Sequence, residues 1–376
     1  MLYEKLREYA LSGAYPMHMP GHKRNTGLLP PGLPYDIDIT EIHGFDDLHD
    51  PHGLLLEISG VAERLYGSAK AFPLVNGSTV GVLAAIGGLT ERGDIILIPG
   101  NCHRSVMNAA SLFGLETAVI SPKTDAASGV PCSISPAAVD AALEADPDIK
   151  LVVATSPTYE GAISDISLIS SIAHARGIPL FVDSAHGAHL EFMGGPAGGL
   201  AATGADAAVM SLHKTLPALT QCSLLHLYGG RADAGRVGRL LSALQTSSPS
   251  YVLMSSIDSC LRMIAADGES LFREYKHNLG LFDEKIKPLK KLKVLCHGAD
   301  DLHPGFFAFD PGKLTIVVKG TALTGKALAG ILRDEYAIEL ELAFTDYAIA
   351  MTSICDTAEG FGRLADALAA IDSMLL

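Results

Sequence analysis

IPLFVDSAHGAH, residues 178–189, begins with a short apolar run that ends on Asp183, and small and polar residues follow directly. A second stretch, ADAAVMSLHKTLPALTQ at 205–221, follows the same pattern and places Lys214 just beyond its apolar run. Neither run alternates apolar with polar residues, and such runs are typical of strands covered on both faces of a parallel sheet. The two stretches therefore predict buried strands of one sheet, with polar and reactive side chains at their carboxyl ends.

The sequence around these stretches repeats the alternation of strand and helix. Further strands are predicted at 71–75, 94–99, 116–120 and 149–155, and helical periodicity separates them. Residues 231–290 are predicted to be helical. From about residue 291 a smaller unit follows, with the strand-like segments FFAFD, KLTIVVKG, IELEL and YAIAMTSI. Repeated strand–helix units predict an α/β fold with a mostly parallel central sheet.

We predict three parts along the chain. Residues 1–55 form an N-terminal segment, in which a short amphipathic helix at 1–12 precedes an irregular stretch at 13–55 rich in Gly, Pro and His. Residues 56–285 form a large domain and residues 286–376 a small C-terminal α/β domain. An irregular stretch as long as 13–55 usually has a function of its own or wraps a partner subunit.

Composition excludes several classes of partner. The formal net charge of −14 over 376 residues disfavours nucleic-acid binding, and no block of Lys or Arg suggests an anionic membrane surface. The six cysteines are scattered without a CxxC pair, so neither structural zinc nor a disulfide framework is expected. The N-terminus lacks the apolar core of a signal peptide, and no apolar run is long enough to span a membrane. We therefore expect a soluble cytoplasmic protein.

Two loops that follow predicted strands carry groups suited to a ligand. In VNGSTVGVL, 75–83, a strand leads through Gly77, Ser78 and Thr79 into a helix, and amides at a helix N-terminus bind anions. The same residues could equally be an ordinary helix cap. In GNCHRSV, 100–106, His103 could stack on an aromatic ring or be a plain polar loop residue.

The first two stretches supply an acid and a nucleophile. Asp183 follows its strand as a ligand-binding acid would, although a turn-forming aspartate is the simpler alternative. Lys214 lies beside His213 and between apolar segments. Apolar surroundings lower the pKa of a lysine, and the neutral amine can then attack a carbonyl carbon. The alternative is an ordinary surface lysine, since most lysines are exposed. An anion cradle, a stacking histidine, an acid and a lysine at one edge of a sheet are the groups that pyridoxal 5′-phosphate requires.

The sequence resembles the Orn/Lys/Arg decarboxylase family, the bacterial group within the aspartate-aminotransferase-like fold (fold type I). The matching segments occur in the family's order over more than half of the chain. They are MPGHKRN (19–25), DITEIHGFDDLHDPHG (38–53), NGSTVG (76–81), NCHRSV (101–106), SPTYEG (156–161), DSAHGAH (183–189), SLHKTLPALTQ (211–221) and QTSSPSYVLMSSID (245–258).

This resemblance implies a role for each matching residue. Lys214 would be the Schiff-base lysine, Asp183 would pair with the pyridine nitrogen, and His103 would stack on the cofactor face. His186 would lie close to the cofactor's phenolic oxygen or to the substrate. The remaining cofactor contacts implied by the family pattern, to the phosphate and to the opposite ring face, are Gly77, Ser78, Thr79, Ser211, His213 and Ala185.

The resemblance also implies a homodimer or an assembly of dimers, because the active site of this fold forms at a dimer interface. The segment from Thr246 through Ser248 to Tyr251 is then expected to come from the second subunit. The 13–55 stretch, with His22 and Lys23, is expected to line the same cleft. Glu341 is the nearest match to the family's acidic residue for the distal group of the substrate.

The implied reaction is decarboxylation of arginine, lysine or ornithine to the corresponding amine, such as agmatine, cadaverine or putrescine, as in polyamine metabolism. Three departures from the family pattern stand against it: Ser184 replaces a frequent Glu, a response-regulator-like N-terminal domain is not present, and the C-terminal portion is short. A transaminase or aldolase reaction remains an alternative because it uses the same cofactor groups. The short C-terminal portion leaves a catalytically weakened homologue as another alternative. A metal-dependent hydrolase is suggested only weakly, by the spacing of His186 and His189, so no metal is expected.

Overall fold

The computed structural model describes residues 1–195 and 198–375, over which helices and strands alternate. Leu376, the last residue of the predicted small domain, lies outside the described residues. The elements as far as residue 286 are α1 (Leu2–Leu11), α2 (Leu54–Tyr66), β1 (Lys70–Leu74), α3 (Gly77–Leu89), β2 (Ile95–Pro99), α4 (Arg104–Phe113), β3 (Glu116–Ile120), α5 (Pro136–Ala145), β4 (Ile149–Thr155), β5 (Ala162–Ile163), α6 (Ile166–His174), β6 (Leu180–Asp183), α7 (Leu190–Met193), β7 (Ala207–Ser211), α8 (Leu212–Thr215), β8 (Ser223–Leu227), α9 (Ala234–Leu244) and α10 (Tyr251–Ile286). The later elements are β9 (Lys293–Val294), β10 (Ala308–Phe309), β11 (Lys313–Val317), α11 (Gly325–Tyr336), β12 (Leu342–Ala343), β13 (Tyr347–Met351) and α12 (Ala358–Met374).

A mostly parallel sheet forms the centre of the large unit. Within the described residues it has seven strands in the order β1-β8-β7-β6-β4-β2-β3. Strand β8 runs antiparallel to both of its neighbours, and all the other strands point the same way. The carboxyl ends of β1, β2, β4, β6 and β7 therefore meet at one edge of the sheet. The α/β class and the mostly parallel sheet expected from the sequence are confirmed.

The strands are apolar throughout because both faces of the sheet are buried. Along β6, Phe181 packs into one hydrophobic cluster, while Leu180 and Val182 pack into another on the opposite face. Helices α3, α4 and α9 contribute to the first cluster, and α2, α5, α6 and α10 to the second. Successive side chains of a strand point to opposite faces, so a doubly covered strand shows no polar alternation.

Helix α3 lies unusually close to the sheet because of Gly81. A Cβ atom at this position would lie 2.7 Å from side-chain atoms of both Leu74 and Val209. These two residues belong to β1 and β7, whose ends carry groups of the predicted site. The absent side chain at Gly81 therefore lets the beginning of α3 reach the functional edge of the sheet.

We expect Gly81→Ala to lower the free energy of unfolding by about 1–3 kcal/mol, because the added methyl group overpacks this contact. The matched control is Gly280→Ala on α10, where the position is exposed and a Cβ would meet nothing within 4 Å. That change should stabilise the protein by roughly 0.5–1 kcal/mol, since alanine favours helix. Urea denaturation of both variants checks the opposite signs, and equal effects would contradict the packing argument.

The structure corrects three details of the sequence prediction. Strand β8 was not predicted, because SLLHL carries a histidine and lies between a loop and a helical segment. Segment FFAFD contributes only β10, which pairs with β5 of the large unit instead of joining the small sheet. Segment IELEL is mostly irregular, and the strand there begins at its last residue, Leu342.

The C-terminal part of the chain forms a second, antiparallel sheet. Its strands lie between residues 293 and 351, in the order β12-β13-β11-β9. Helix α12 packs along α10, which connects this part to the large unit. At the other end of the chain, α1 also packs on α10, and no helix or strand is found from residue 12 to residue 53. Among the described residues, no helix is both long and apolar enough to cross a membrane.

Candidate active site

A cavity of about 620 Å³ opens where the strand ends of the large unit meet. It lies beyond the carboxyl ends of β1, β2, β4, β6 and β7, as expected for a ligand site in an open α/β sheet. Every residue predicted to contact the cofactor lines it. These residues are Gly77, Ser78, Thr79, His103, Asp183, Ala185, His186, Ser211, His213 and Lys214.

One end of the cavity is suited to an anion. Asn76 precedes the first turn of α3 and makes no side-chain cap hydrogen bond, and the Gly77 amide donates to the Gln221 carbonyl oxygen at 3.0 Å. The amides of Ser78 and Thr79 have no acceptor among the described residues and remain available. Ser78 Oγ lies 2.7 Å from Ser211 Oγ and 3.2 Å from Ser223 Oγ, which brings hydroxyl groups from three elements to one point. Gly77 has a φ of 71°, a conformation that favours glycine, and it turns the chain from β1 into α3. Amides and hydroxyls together form a phosphate cradle.

Asp183 is a buried acid in the wall of the cavity, with 4% of its surface exposed. Its carboxylate accepts one hydrogen bond, from the Ala185 amide at 3.2 Å. Burial raises the pKa of Asp183, while that amide and the nearby charges of Lys214 and His103 act to lower it. No cationic side chain of the described residues lies within 4 Å of this carboxylate. A protonated ring nitrogen of a ligand would supply the missing counter-charge.

Lys214 belongs to α8, immediately after the end of β7. Its Nζ atom lies 3.1 Å from Nε2 of His186. Burial lowers the pKa of Lys214, and the carboxylates of Asp183 and Glu341 act in the opposite direction. A lysine with a lowered pKa holds more of the neutral amine at neutral pH, which is the form that attacks a carbonyl carbon.

Two further histidines border the cavity. His103 is exposed at the beginning of α4, where its Nδ1 atom lies 2.8 Å from Ser105 Oγ. His213 donates from Nδ1 to the carbonyl oxygen of Cys222 at 2.9 Å. Burial lowers the pKa of His213, which favours its neutral form beside Lys214. His103 is free to cover the face of a planar ligand, since its ring is fixed only at Nδ1.

Two residues with contacts to this site had no role in the sequence analysis. Tyr159 lines the cavity, its ring centroid lies 4.6 Å from that of His186, and its hydroxyl donates to the Glu341 carboxylate. Lys313, at the beginning of β11, places Nζ 2.7 Å from Nδ1 of His186. The sequence signals were available: Tyr159 lies in the family segment SPTYEG, and Lys313 opens an otherwise apolar strand.

The residues expected from a second subunit or the N-terminal segment are not lining residues of this cavity within one chain. His22 contacts Asp38 at 3.2 Å, and Lys23 donates to the His18 carbonyl oxygen. Tyr251 is buried and its hydroxyl donates to the Asp46 carbonyl oxygen, so this side chain is held inside its own subunit.

Thr246 and Ser248 lie beside the anion-binding end of the cavity. The Thr246 amide donates to the side chain of Asn76 at 3.1 Å, and the Ser248 amide donates to Thr246 Oγ1 at 3.2 Å. Both contacts lie on the exposed side of the cradle, where Ser248 faces solvent in one chain. The segment is therefore adjacent to the site of its own chain.

The histidine pair that suggested a metal is engaged otherwise. His189 is buried and its Nε2 atom lies 2.9 Å from Asp310 Oδ1, whereas His186 lies between two lysines. Among the described residues, no group of three or more His, Cys, Asp or Glu side chains could hold a metal ion.

The donor set of the cavity fits pyridoxal phosphate. The turn into α3 provides hydrogen-bond donors for a phosphate, and the buried Asp183 carboxylate lacks a cationic partner among the described residues. Lys214 provides the amine that the cofactor's aldehyde requires, and the cavity volume exceeds the lower bound of about 300 Å³ for small-molecule sites.

Comparison with solved structures supports the fold. The chain superposes on the structure of Escherichia coli constitutive lysine decarboxylase with a TM-score of 0.83 at 20% sequence identity. The match covers 99% of this chain and 60% of that protein. At this level of identity the similarity concerns the fold.

Sequence comparisons identify the family. An arginine decarboxylase of Bacillus subtilis (strain 168) is 32% identical over 378 residues, which cover 98% of this chain and 76% of that protein. The uncharacterized protein YaaO of the same strain is 40% identical over 326 residues, covering 84% of this chain and 66% of YaaO. The chain thus spans slightly less than two thirds of YaaO. The family model for the major domain of Orn/Lys/Arg decarboxylases matches residues 1–346, and the chain belongs to the Orn/Lys/Arg decarboxylase family.

Proposed function

We propose that the chain binds pyridoxal phosphate covalently at Lys214 and decarboxylates a basic amino acid, namely arginine, lysine or ornithine, to the corresponding amine. The observation that carries the proposal is the placement of Lys214, Asp183 and the anion-binding turn around one cavity. Family membership and relatives named arginine decarboxylase and lysine decarboxylase support the choice of reaction.

The residues divide the work of holding the cofactor. The hydroxyls of Ser78 and Ser211, with the amides of Ser78 and Thr79, would hold the phosphate. Asp183 would keep the ring nitrogen protonated, since a buried carboxylate is stabilised by an adjacent positive charge. When bound, pyridoxal phosphate supplies an electron sink that stabilises the negative charge left on the substrate α-carbon as CO₂ departs.

The side chains around Lys214 would control the proton that replaces CO₂. Lys214 Nζ and the exposed His103 ring both border the cavity, and either can deliver a proton to the substrate α-carbon. His186 lies against Lys214 and is almost completely buried, so it keeps water away from this side of the lysine. His103 would cover one face of the ring and restrict how the substrate carboxylate is oriented.

Glu341 is the candidate for recognising the distal cationic group of the substrate. Its carboxylate is exposed, accepts a hydrogen bond from Tyr159 and is close enough to Lys214 and Lys313 to affect the pKa of both lysines. Glu341 does not line the cavity itself, and its contact with the lining residue Tyr159 places it next to the cavity. A carboxylate there would pair with an ammonium or guanidinium group.

We expect Glu341→Gln to raise KM for the preferred basic amino acid by about 10- to 100-fold, because a charge-assisted hydrogen bond of about 1.5–3 kcal/mol is lost. The value of kcat should change little, since glutamine can still accept from Tyr159. Steady-state kinetics of this variant and of the matched control Glu339→Gln, an exposed neighbour, provide the measurement. An unchanged KM would remove Glu341 from the substrate site.

The proposal extends to a homodimer or an assembly of dimers. The N-terminal stretch exposes several large apolar side chains that one chain leaves in contact with water, namely Tyr15, Met17, Met19, Leu28 and Leu33. Burial of these side chains against a second copy would be favourable. Separately, Thr246 and Ser248 adjoin the anion-binding end of the cavity through Asn76, where a second subunit would complete the site.

The proposed reaction is tested by incubating the purified chain and pyridoxal phosphate with arginine, lysine, ornithine and other amino acids. Release of CO₂ together with the matching amine supports decarboxylation. Formation of a keto acid without CO₂ would instead indicate a transaminase, and cleavage to an aldehyde would indicate an aldolase.

A further inference from the structure

Lys313 is a buried lysine without an ion-pair partner. It is 1% exposed, and within the described part of the chain no carboxylate oxygen lies within 4 Å of its ammonium. Its side chain makes one hydrogen bond there, to Nδ1 of His186 at 2.7 Å. Burying a cation without a counter-charge lowers the stability of the fold. The fold therefore places a destabilising residue directly behind the candidate active site.

His186 lies between two lysines, and the number of protons on its ring limits their charge. Its Nδ1 atom faces Lys313 Nζ, and its Nε2 atom faces Lys214 Nζ at 3.1 Å. A neutral imidazole has one N–H donor and one acceptor nitrogen. An ammonium has donors and no acceptor. Both lysines therefore cannot be ammonium ions while each is hydrogen-bonded to a neutral His186, and one of them must be a neutral amine that accepts the ring N–H.

The neutral state of His186 follows from its surroundings. Burial lowers its pKa well below the usual value, and a positive charge on either adjacent lysine, Lys313 or Lys214, lowers it further. Its ring is also covered by Tyr159. A charged imidazolium between two amines is therefore strongly disfavoured. His186 is neutral, with one donor and one acceptor nitrogen.

The geometry favours Lys313 as the charged member of the pair. The 2.7 Å contact at Nδ1 has the length of a charge-assisted hydrogen bond, whereas the 3.1 Å contact at Nε2 has the length of a neutral one. Lys313 Nζ also lies 5.6 Å from the centre of the Tyr159 ring, a position that suits a cation. Nδ1 then accepts from Lys313, and the ring proton resides on Nε2.

We propose that Lys313 is a positioning residue that fixes the proton of His186 on Nε2 and thereby keeps Lys214 as a neutral amine. This inference rests on the proposed attachment of the cofactor at Lys214. The lone pair of the neutral amine attacks the aldehyde carbon, a carbon–nitrogen double bond forms, and the carbonyl oxygen leaves as one water carrying the two amine hydrogens. An ammonium at Lys214 has no lone pair and would have to lose a proton first.

Several charged groups act on Lys313 from the elements around it. Burial lowers the pKa of Lys313 to about 8, and the carboxylates of Asp310, Glu341 and Glu160 act to raise it. A positive charge on Lys214 would lower it further. His189 pairs with Asp310 on the adjoining segment. Lys313 therefore keeps its ammonium at neutral pH and loses it as the pH rises through about 8.

The test measures how fast pyridoxal phosphate attaches to the cofactor-free, full-length protein at different pH values. Attachment is followed by visible absorbance and located by borohydride reduction and peptide mass mapping. In Lys313→Met, His186 can move its proton to Nδ1 and accept from a charged Lys214. We expect the pH midpoint of the attachment rate to rise by about one unit, equivalent to an approximately tenfold slower reaction at neutral pH.

Lys326→Met is the matched control, because Lys326 is exposed on α11 and makes no recorded contact with the site among the described residues. The dependence of its cofactor-attachment rate on pH should coincide with that of the unmodified chain. Lys313→Met should also melt at the same or a higher temperature than the unmodified chain, since it removes an unpaired buried charge. A purely structural lysine would instead lower the melting temperature and leave the pH profile in place.

Each outcome is decisive. An unshifted midpoint in Lys313→Met, with normal attachment in the unmodified chain, overturns the role of Lys313 and leaves the proposed function standing. If the unmodified chain fails to attach the cofactor at Lys214, the proposed function itself is wrong. If Lys313→Met does not fold, Lys313→Leu also removes both the charge and the donor to His186 Nδ1 and serves in its place. Failure of both variants to fold would assign Lys313 a structural role and overturn the inference.

Discussion

Lys214→Ala is expected to abolish the visible absorbance of bound pyridoxal phosphate and to reduce decarboxylation by at least about 10³-fold. The cavity offers its amine at a strand end, with the pKa lowered by burial, and alanine leaves the cofactor without a covalent anchor. The same change removes a group that can return a proton to the substrate α-carbon. Absorbance spectra and CO₂ release with the preferred amino acid measure the two losses separately.

The control for this prediction is Lys326→Ala, an exposed lysine on α11. It should retain both absorbance and turnover. A Lys214→Ala protein that folds normally and keeps the absorbance would show that the cofactor is attached elsewhere. One that loses absorbance but keeps turnover would mean that the reaction does not need a cofactor bound at this residue.

Asp183→Asn is expected to lower kcat by about 10²–10³-fold, the range found when one electrostatic contact to a developing charge is removed. The amide carries no negative charge, so it cannot hold a proton on the ring nitrogen and the electron sink is weakened. Lys214 lies on a different element and keeps its contact with His186, so covalent attachment should persist. Turnover and absorbance are therefore expected to respond differently.

The comparison variant is Asp301→Asn, an exposed acid in the loop before β10, which should behave like the unmodified chain. Because burial raises the pKa of Asp183, its ionised form depends on a positive partner, and activity should fall as the carboxylate is protonated at low pH. Equal kcat values for Asp183→Asn and the unmodified chain would show that the carboxylate does not support the reaction. Loss of attachment in Asp183→Asn would point to a role in cofactor binding alone.

Much of this site could be predicted because its parts are local in sequence. Asp183 and Lys214 each follow an apolar run, and the strands β6 and β7 end at Asp183 and Ser211. The carboxyl ends of parallel strands meet at one edge, so groups that follow such strands converge without further information. The resemblance of the segments to the family then implied a role for each residue. The family model for the major domain of Orn/Lys/Arg decarboxylases, which matches residues 1–346, identifies the family.

The prediction was weaker where a segment's partner is distant. Strand β8 is completely buried although it contains Ser223 and His226, and its antiparallel direction depends on pairing with β1 and β7. Segment FFAFD contributes to a small ladder with β5, more than 140 residues earlier in the chain. The hydrophobic periodicity of a segment indicates which of its faces are buried, but it does not indicate which strands are neighbours in the sheet.

By itself, the sequence determined the α/β class, the strand ends and the set of groups at them, because hydrophobic periodicity and loop chemistry are written in consecutive residues. The tertiary structure alone placed Lys313 against His186, 127 residues away, and Tyr159 against Glu341, 182 residues away. Both contacts exist because the start of β11 and the segment before β12 lie against the loops that follow β6 and β4 of the large unit. A lysine at the start of an apolar strand is anomalous in sequence, and only its neighbours in space show which groups it contacts.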